Sequence, residues 1–134
     1  MTREEWVDEV HTWEGTPFHH AGRVKGVGTD CVGIVIGAAN ALGVSIPEYA
    51  NYSRQVSSDA LIAETAKYMH RVCTLGHGTI LILRVRHRAQ HMAVYDATRN
   101  TIIHAFEQVG LVVENTFKRP FSNNVHSMWE VDFE

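Results

Sequence analysis

The sequence predicts an α+β layer fold, with N-terminal helices packed on an antiparallel sheet of about five strands. Three observations predict it. Apolar residues recur at helical spacing up to about residue 71 and at strand spacing from residue 78 onward. The strand-like runs are joined by short polar connections, which suit antiparallel neighbours and are too short for parallel crossovers. At 134 residues and 45% hydrophobic content, the chain is sized for one domain, residues 1–134, around a single core.

The elements follow in order. Residues 3–13 read as a helix, with Trp6, Val7, Val10 and Trp13 on one stripe and acids between them. Thr2 is placed to cap it, with Glu5 three positions on in a capping box. Residues 14–30 hold four glycines and one proline and read as loop. Gly26-Val27-Gly28 is not a phosphate loop, because the Gly-Lys-Ser/Thr ending is missing and no clear strand leads in. A buried helix runs from about Cys31 to Leu42 and stops at Gly43, a residue suited to a left-handed C-terminus. Residues 44–56 read as a surface loop. A further helix is expected at 58–71, capped by Ser57 or Ser58, with Leu61, Ile62, Thr65, Tyr68 and Met69 facing inward. Strands are expected at 78–85, 91–95, 101–106, 111–114 and 128–133, with a turn at 96–100.

Composition excludes several classes of function. The net charge of −3 gives no electrostatic reason to expect nucleic acid or an anionic membrane as partner. The N-terminus has no apolar signal core and no run of about 20 apolar residues occurs, so neither secretion by a leader nor membrane insertion is expected. The two cysteines, Cys31 and Cys73, do not make a disulfide framework. Cys73 is expected to be buried and structural. His19-His20 is a poor chelate, because adjacent residues of an extended loop point to opposite sides. No Cys-x-x-Cys or His-Glu-x-x-His accompanies it, so neither metal nor cofactor is expected.

The chemistry centres on Thr29-Asp30-Cys31-Val32-Gly33, where the glycine-rich loop gives way to the buried helix. Cys31 is either a small buried hydrophobe or a nucleophile. In the first turn, free N–H groups and the positive end of the helix dipole favour thiolate over thiol. Asp30 is placed to cap the helix or to tune the site. Two histidines supply the context that separates the readings. A hairpin centred between residues 97 and 98 sets His91 opposite residue 104, so that His91 and His104 share one sheet face within roughly 5 Å at Cβ. One imidazole then orients the other while the nearer takes the thiol proton, the nucleophile–base–orienter logic of the catalytic triads. The candidate catalytic residues are therefore Cys31, His91 and His104, with the Cys31 N–H as candidate oxyanion donor.

Gly15-Thr16-Pro17-Phe18, Gly22, Asp30-Cys31-Val32-Gly33, His91-Met92-Ala93-Val94-Tyr95 and Ile103-His104-Ala105 together resemble the NlpC-type cell-wall cysteine peptidases. The resemblance runs over residues 5–120 and is nearest to the members associated with phage tails and gene-transfer agents. It implies a papain-like fold with the nucleophile at the start of a helix packed on an antiparallel sheet. It also implies hydrolysis of peptide or isopeptide bonds in peptidoglycan stem peptides, without a cofactor. Cys31 is then nucleophile, His91 general base and His104 the residue orienting it. Phage-like tail proteins become the implied partners, and a particle tail acting in the periplasm or cell wall the implied location.

The chain departs from the family pattern at two points. Phe18 stands where members often carry a tyrosine whose hydroxyl helps the site, and Ala21 stands where a glycine is usual. Substrate or oxyanion contacts are expected from Asp30, Phe18 and His20. Arg84, Arg86 and Arg88 are read first as a solvated edge that discourages strand pairing, and second as a match for stem-peptide carboxylates. Two other classes stay open on the sequence, a non-catalytic assembly or wall-binding module of the same fold and a thiol acyltransferase.

Overall fold

The computed structural model describes residues 1–48 and 58–134. Its elements are α1 (Arg3–His11), β1 (Arg23–Val24), β2 (Gly28–Thr29), α2 (Cys31–Ala41), α3 (Ser58–Tyr68), β3 (His70–Val72), β4 (Ile80–Val85), β5 (Arg88–Asp96), β6 (Thr101–Phe106), β7 (Leu111–Thr116) and β8 (Val125–Glu130). A six-stranded antiparallel sheet has the order β3-β8-β4-β5-β6-β7, and β1 and β2 form a separate two-stranded hairpin. The α+β class is as expected. The sixth strand is β3, which the helical reading of 58–71 had absorbed: α3 ends at Tyr68 and His70 already pairs with Glu130. Ser57, one of the two proposed caps of α3, and most of the loop at 44–56 lie outside the described residues, while Ser58 is the first residue of α3.

The helices cover one face of the sheet. Trp6, Val10, Val32, Val35, Ile80, Ile82, Met92, Val94 and Ile103 belong to this main core. The opposite face carries a smaller cluster of Leu81, Leu83, Ala93, Tyr95 and Ile102, covered by Phe117, Phe121 and Val125. Burial on both faces explains why Ile80, Leu81, Ile82 and Leu83 form a continuous apolar run, where a half-exposed strand would alternate.

Local chemistry fixes the ends of the elements. Thr2 and Glu5 form the expected capping box on α1. Arg3 then holds Glu130 of β8 through both carboxylate oxygens, at 2.8 and 2.9 Å, while Thr79 donates to the same carboxylate at 3.0 Å. The Trp6 indole donates to the Gly78 carbonyl at 3.0 Å, so α1 is tied to the sheet by polar bonds as well as by packing. At Gly37 a Cβ would stand 2.3 Å from the Trp13 ring, so its absence lets the turn after α1 pack on α2. Arg86 and His87, at φ +52° and +68°, form a two-residue turn between β4 and β5.

The loop before α2 is pressed on the helix start. A Cβ on Gly33 would lie 2.3 Å from Thr29 Oγ1 and 2.5 Å from the Gly22 carbonyl oxygen. Gly33→Ala should therefore destabilise the fold by about 1–3 kcal/mol, the usual cost of overpacking. A urea midpoint unchanged from the parent protein would show that this approach is not constrained.

Candidate active site

The site forms where the sheet opens. β5 and β6 pair only through Val94 with Ile103, Tyr95 with Ile102 and Asp96 with Thr101. Beyond that ladder the Met92 and Val32 N–H groups lie near enough to the Cys31 sulfur to favour its thiolate. The tip of α2 is thus seated against β5 at the residue that follows His91. Cys31 and His91 are both half-buried, and both line one cleft of about 660 Å³.

Asp30 sets the sulfur in place. It is the N-cap of α2, accepting from the Gly33 N–H at 2.9 Å. Its carboxylate also accepts from the Ala21 N–H at 2.8 Å and from the Arg23 guanidinium at 2.9 Å. Buried to 2% exposure and holding the loop as well as the helix, this carboxylate is structural in its visible bonds. A carboxylate only accepts, so it is no oxyanion donor, but Asp30 also lines the cleft beside Cys31, where a substrate contact is open to it.

The two histidines meet by a different route from the one expected. The β5–β6 register is two residues off the predicted one and, continued along the strands, sets His91 opposite Phe106, with His104 diagonal to it on the same face. The rings still touch: His91 Nε2 lies 2.6 Å from His104 Nδ1. A bulge helps. Leu83 is opposite His91 but Arg84 is opposite Ala89, so Gln90 is the extra residue of β5. Such a residue re-aims its neighbour: Ala89 packs in the main core while His91 turns to the cleft and His104.

His104 is fully buried in an aromatic box, stacked on Phe106 at 4.9 Å between centroids and met edge-on by Phe121 at 5.3 Å. Its Nε2 lies 2.7 Å from Asn115 Oδ1 on β7. Sequence reasoning missed Asn115. No motif marks it, and only the β6–β7 register, Ile102 with Asn115, brings it to the His104 face.

A sequence model described as the NlpC/P60 family matches residues 15–130. The chain belongs to the NlpC/P60 family. Solved NlpC/P60 structures share its fold. An NlpC/P60 family protein from Bacillus cereus superposes with a TM-score of 0.72 at 16% identity, covering 96% of this chain and 39% of its own. The peptidoglycan hydrolase RipB from Mycobacterium tuberculosis gives 0.69 at 17% identity, covering 98% and 65%. The NlpC/P60 domain of the peptidoglycan hydrolase SagA gives 0.65 at 18% identity, covering 99% and 100%. The chain spans about two fifths of the Bacillus cereus protein. No curated protein sequence matches it.

Around this NlpC/P60 cleft, Phe18 and His20 line the wall beside Cys31. Phe18 offers no hydroxyl, and His20 carries the ring N–H on that wall. Arg86 and Arg88 line the cleft as well, whereas Arg84 donates to the Val125 carbonyl at 2.9 Å outside it. Cys73 is exposed, against expectation, because the chain leaves α3 before reaching it; it and Cys31 are both free thiols. His11 bridges Glu14 at 2.9 Å and Asp96 at 2.7 Å. His11, Glu14 and Glu114 bring ligand atoms within 4.8 Å of one another, the one group of cation-ligand type among the described residues. Asp96 and the Arg99 guanidinium occupy its members.

The electrostatics correct the expected thiolate. Burial pushes the Cys31 thiol up to about 12, and the Asp30 carboxylate pushes the same way, while the Met92 and Val32 N–H groups and Arg23 act against them. Burial, then the neighbouring His104, holds His91 down to about 3. Burial also lowers His104. At neutral pH the resting pair is thiol and imidazole. In a Cys73→Ser background, alkylation of Cys31 by iodoacetamide should accelerate continuously as the pH rises, because the thiolate fraction keeps growing below a raised pKa. A rate already on a plateau below about pH 7.5, the mark of a thiolate paired with imidazolium, would contradict this.

Proposed function

We propose that this chain is a cysteine peptidase that hydrolyses peptide or isopeptide bonds in peptidoglycan stem peptides. The observation that carries the reading is one cleft lined by both a helix-tip cysteine and a histidine that is itself held by a second histidine. Family membership supports it, as do relatives of the same fold that are peptidoglycan hydrolases.

In this mechanism His91 removes the thiol proton as Cys31 attacks the scissile carbonyl, so sulfur forms a bond to carbon without a standing thiolate. The Cys31 N–H at the helix start receives the oxyanion. His20 is the side chain on the Phe18 wall with an N–H to add. The C–N bond breaks, and the amine leaves with the proton from His91. Water then attacks the thioester and gives its proton to His91. The acyl product departs as a carboxylic acid, and the proton returns to sulfur. His104 holds the His91 ring throughout.

Arg86 and Arg88 on the cleft rim suit the carboxylates of an acidic stem peptide. Placement in a phage-like tail, acting at the cell wall, belongs to the same proposal and rests on the sequence resemblance alone. One observation favours a second reading: Phe18 lacks the usual hydroxyl, as a non-catalytic wall-binding module would allow.

Mass spectrometry of purified sacculi decides between them. The protein should release stem-peptide fragments, and Cys31→Ala should release none while keeping its circular dichroism. Equal release by Cys31→Ala would refute the assignment. His91→Ala should lose about 10²–10⁴-fold in kcat, the usual worth of a positioned acid–base group. His104→Gln, still able to hydrogen-bond, should keep part of the activity. Replacing Arg86 and Arg88 together by alanine should raise KM several-fold, on the order of two exposed ion pairs at roughly 0.2–1 kcal/mol each, with kcat little changed. An unchanged KM would remove them from substrate binding.

A further inference from the structure

We propose that Asn115 is a positioning residue whose amide oxygen fixes the tautomers of both histidines, leaving Nδ1 of His91 free to take the Cys31 proton. The inference rests on the peptidase reading for its use, but its geometry stands apart from it. Three groups lie in a row: Asn115 Oδ1 is 2.7 Å from His104 Nε2, and His104 Nδ1 is 2.6 Å from His91 Nε2.

The row transmits a choice. An amide oxygen only accepts, so His104 must carry its proton on Nε2. A neutral imidazole has one N–H, and burial keeps His104 neutral, so its Nδ1 is a bare lone pair. His91 Nε2 must then donate to that lone pair. His91 is neutral as well, so its remaining nitrogen, Nδ1, has no proton. A general base in this site needs that bare nitrogen. Had the amide turned its N–H toward His104, each proton would sit on the other nitrogen. His91 would then present N–H at Nδ1 and could not accept from the thiol.

Surrounding residues hold the row still. His104 is 0% exposed between Phe106 and Phe121, so water cannot replace Asn115 as its partner without breaking that box. The Asn115–His104 distance is that of a well-made bond, and the two rings are in close contact. Partners of this kind on the far nitrogen of a working histidine set its tautomer and orientation, as they do behind metal-bound histidines. Asn115 touches neither sulfur nor cleft, so its effect passes wholly through His104.

Nitrogen-15 NMR of the ring nitrogens in the free protein tests this without substrate. The spectrum should show His91 and His104 both protonated on Nε2. In Asn115→Leu, similar in size but without an acceptor, the two rings should populate mixed tautomers. Alkylation of Cys31 should slow, and kcat should fall by about 10- to 100-fold with KM little changed, the usual loss when such a partner is removed. Asn115→Asp keeps the acceptor and covers the case in which the leucine variant fails to fold. It should keep both Nε2–H tautomers, and should move the acid limb of the pH–rate profile upward, because a carboxylate stabilises protonated His104. His91 protonated on Nδ1 in the parent protein would overturn the proposal, as would unchanged tautomers in Asn115→Leu. If the protein hydrolyses no peptide, the peptidase reading falls while the tautomer and alkylation results still judge Asn115.

Discussion

Everything at the site depends on β5 and β6 parting after three residue pairs. Two antiparallel strands that kept their ladder would spend their edge groups on each other. Here they part, and the tip of α2 places its sulfur against the Met92 N–H. His91 directly precedes Met92 on β5 and lines the same cleft as Cys31. Asp30 fixes the other side of the same contact by capping α2 and clamping Ala21 and Arg23 at once. The helix, the loop and the strand therefore meet at one sulfur, and none can shift without moving it.

The same arrangement decides the protonation state. A helix N-terminus is worth typically 0.3–1 kcal/mol and at most about 2 kcal/mol toward an anion, which is on the order of one pKa unit. Burial of a titratable group can move it by up to about 3–5 units the other way. Burial wins at Cys31, reinforced by the neighbouring carboxylate of Asp30. In the proposed reaction, a resting thiol and a resting imidazole in one cleft make proton transfer part of the attack itself. The row that ends at Asn115 then matters more than the helix dipole, because it determines which nitrogen receives the proton.

Much of this was legible in the chain. Helical period before residue 71 and strand period after 78 announced the layers, and Thr2 with Glu5 announced the start of α1. Asp30-Cys31 at the border of loop and apolar run announced the helix tip. Other features left no local mark. β3 is three residues long with one apolar residue, Val72, and is defined by its partner β8, so no period in the chain marks it. The Gln90 bulge and the true β5–β6 register are agreements between strands, which no single strand's pattern contains. Asn115 reads as an ordinary polar strand residue until the register turns it to His104. The thiolate expectation failed because dipole and burial compete, and only the dipole can be read from position in a helix. Cys73 failed more simply, since the general burial of free cysteines says nothing of the exposed residue that follows β3.

In the proposed reaction Cys31 attacks the scissile carbonyl and carries the acyl group. Intact-protein mass spectrometry after acid quench of a single turnover, using a soluble stem peptide, tests it most directly. The prediction is a mass gain equal to the acyl part of the peptide, mapped to Cys31 and absent in Cys31→Ala. Turnover with no acyl adduct on Cys31, continuing at the same rate in Cys31→Ala, would contradict it.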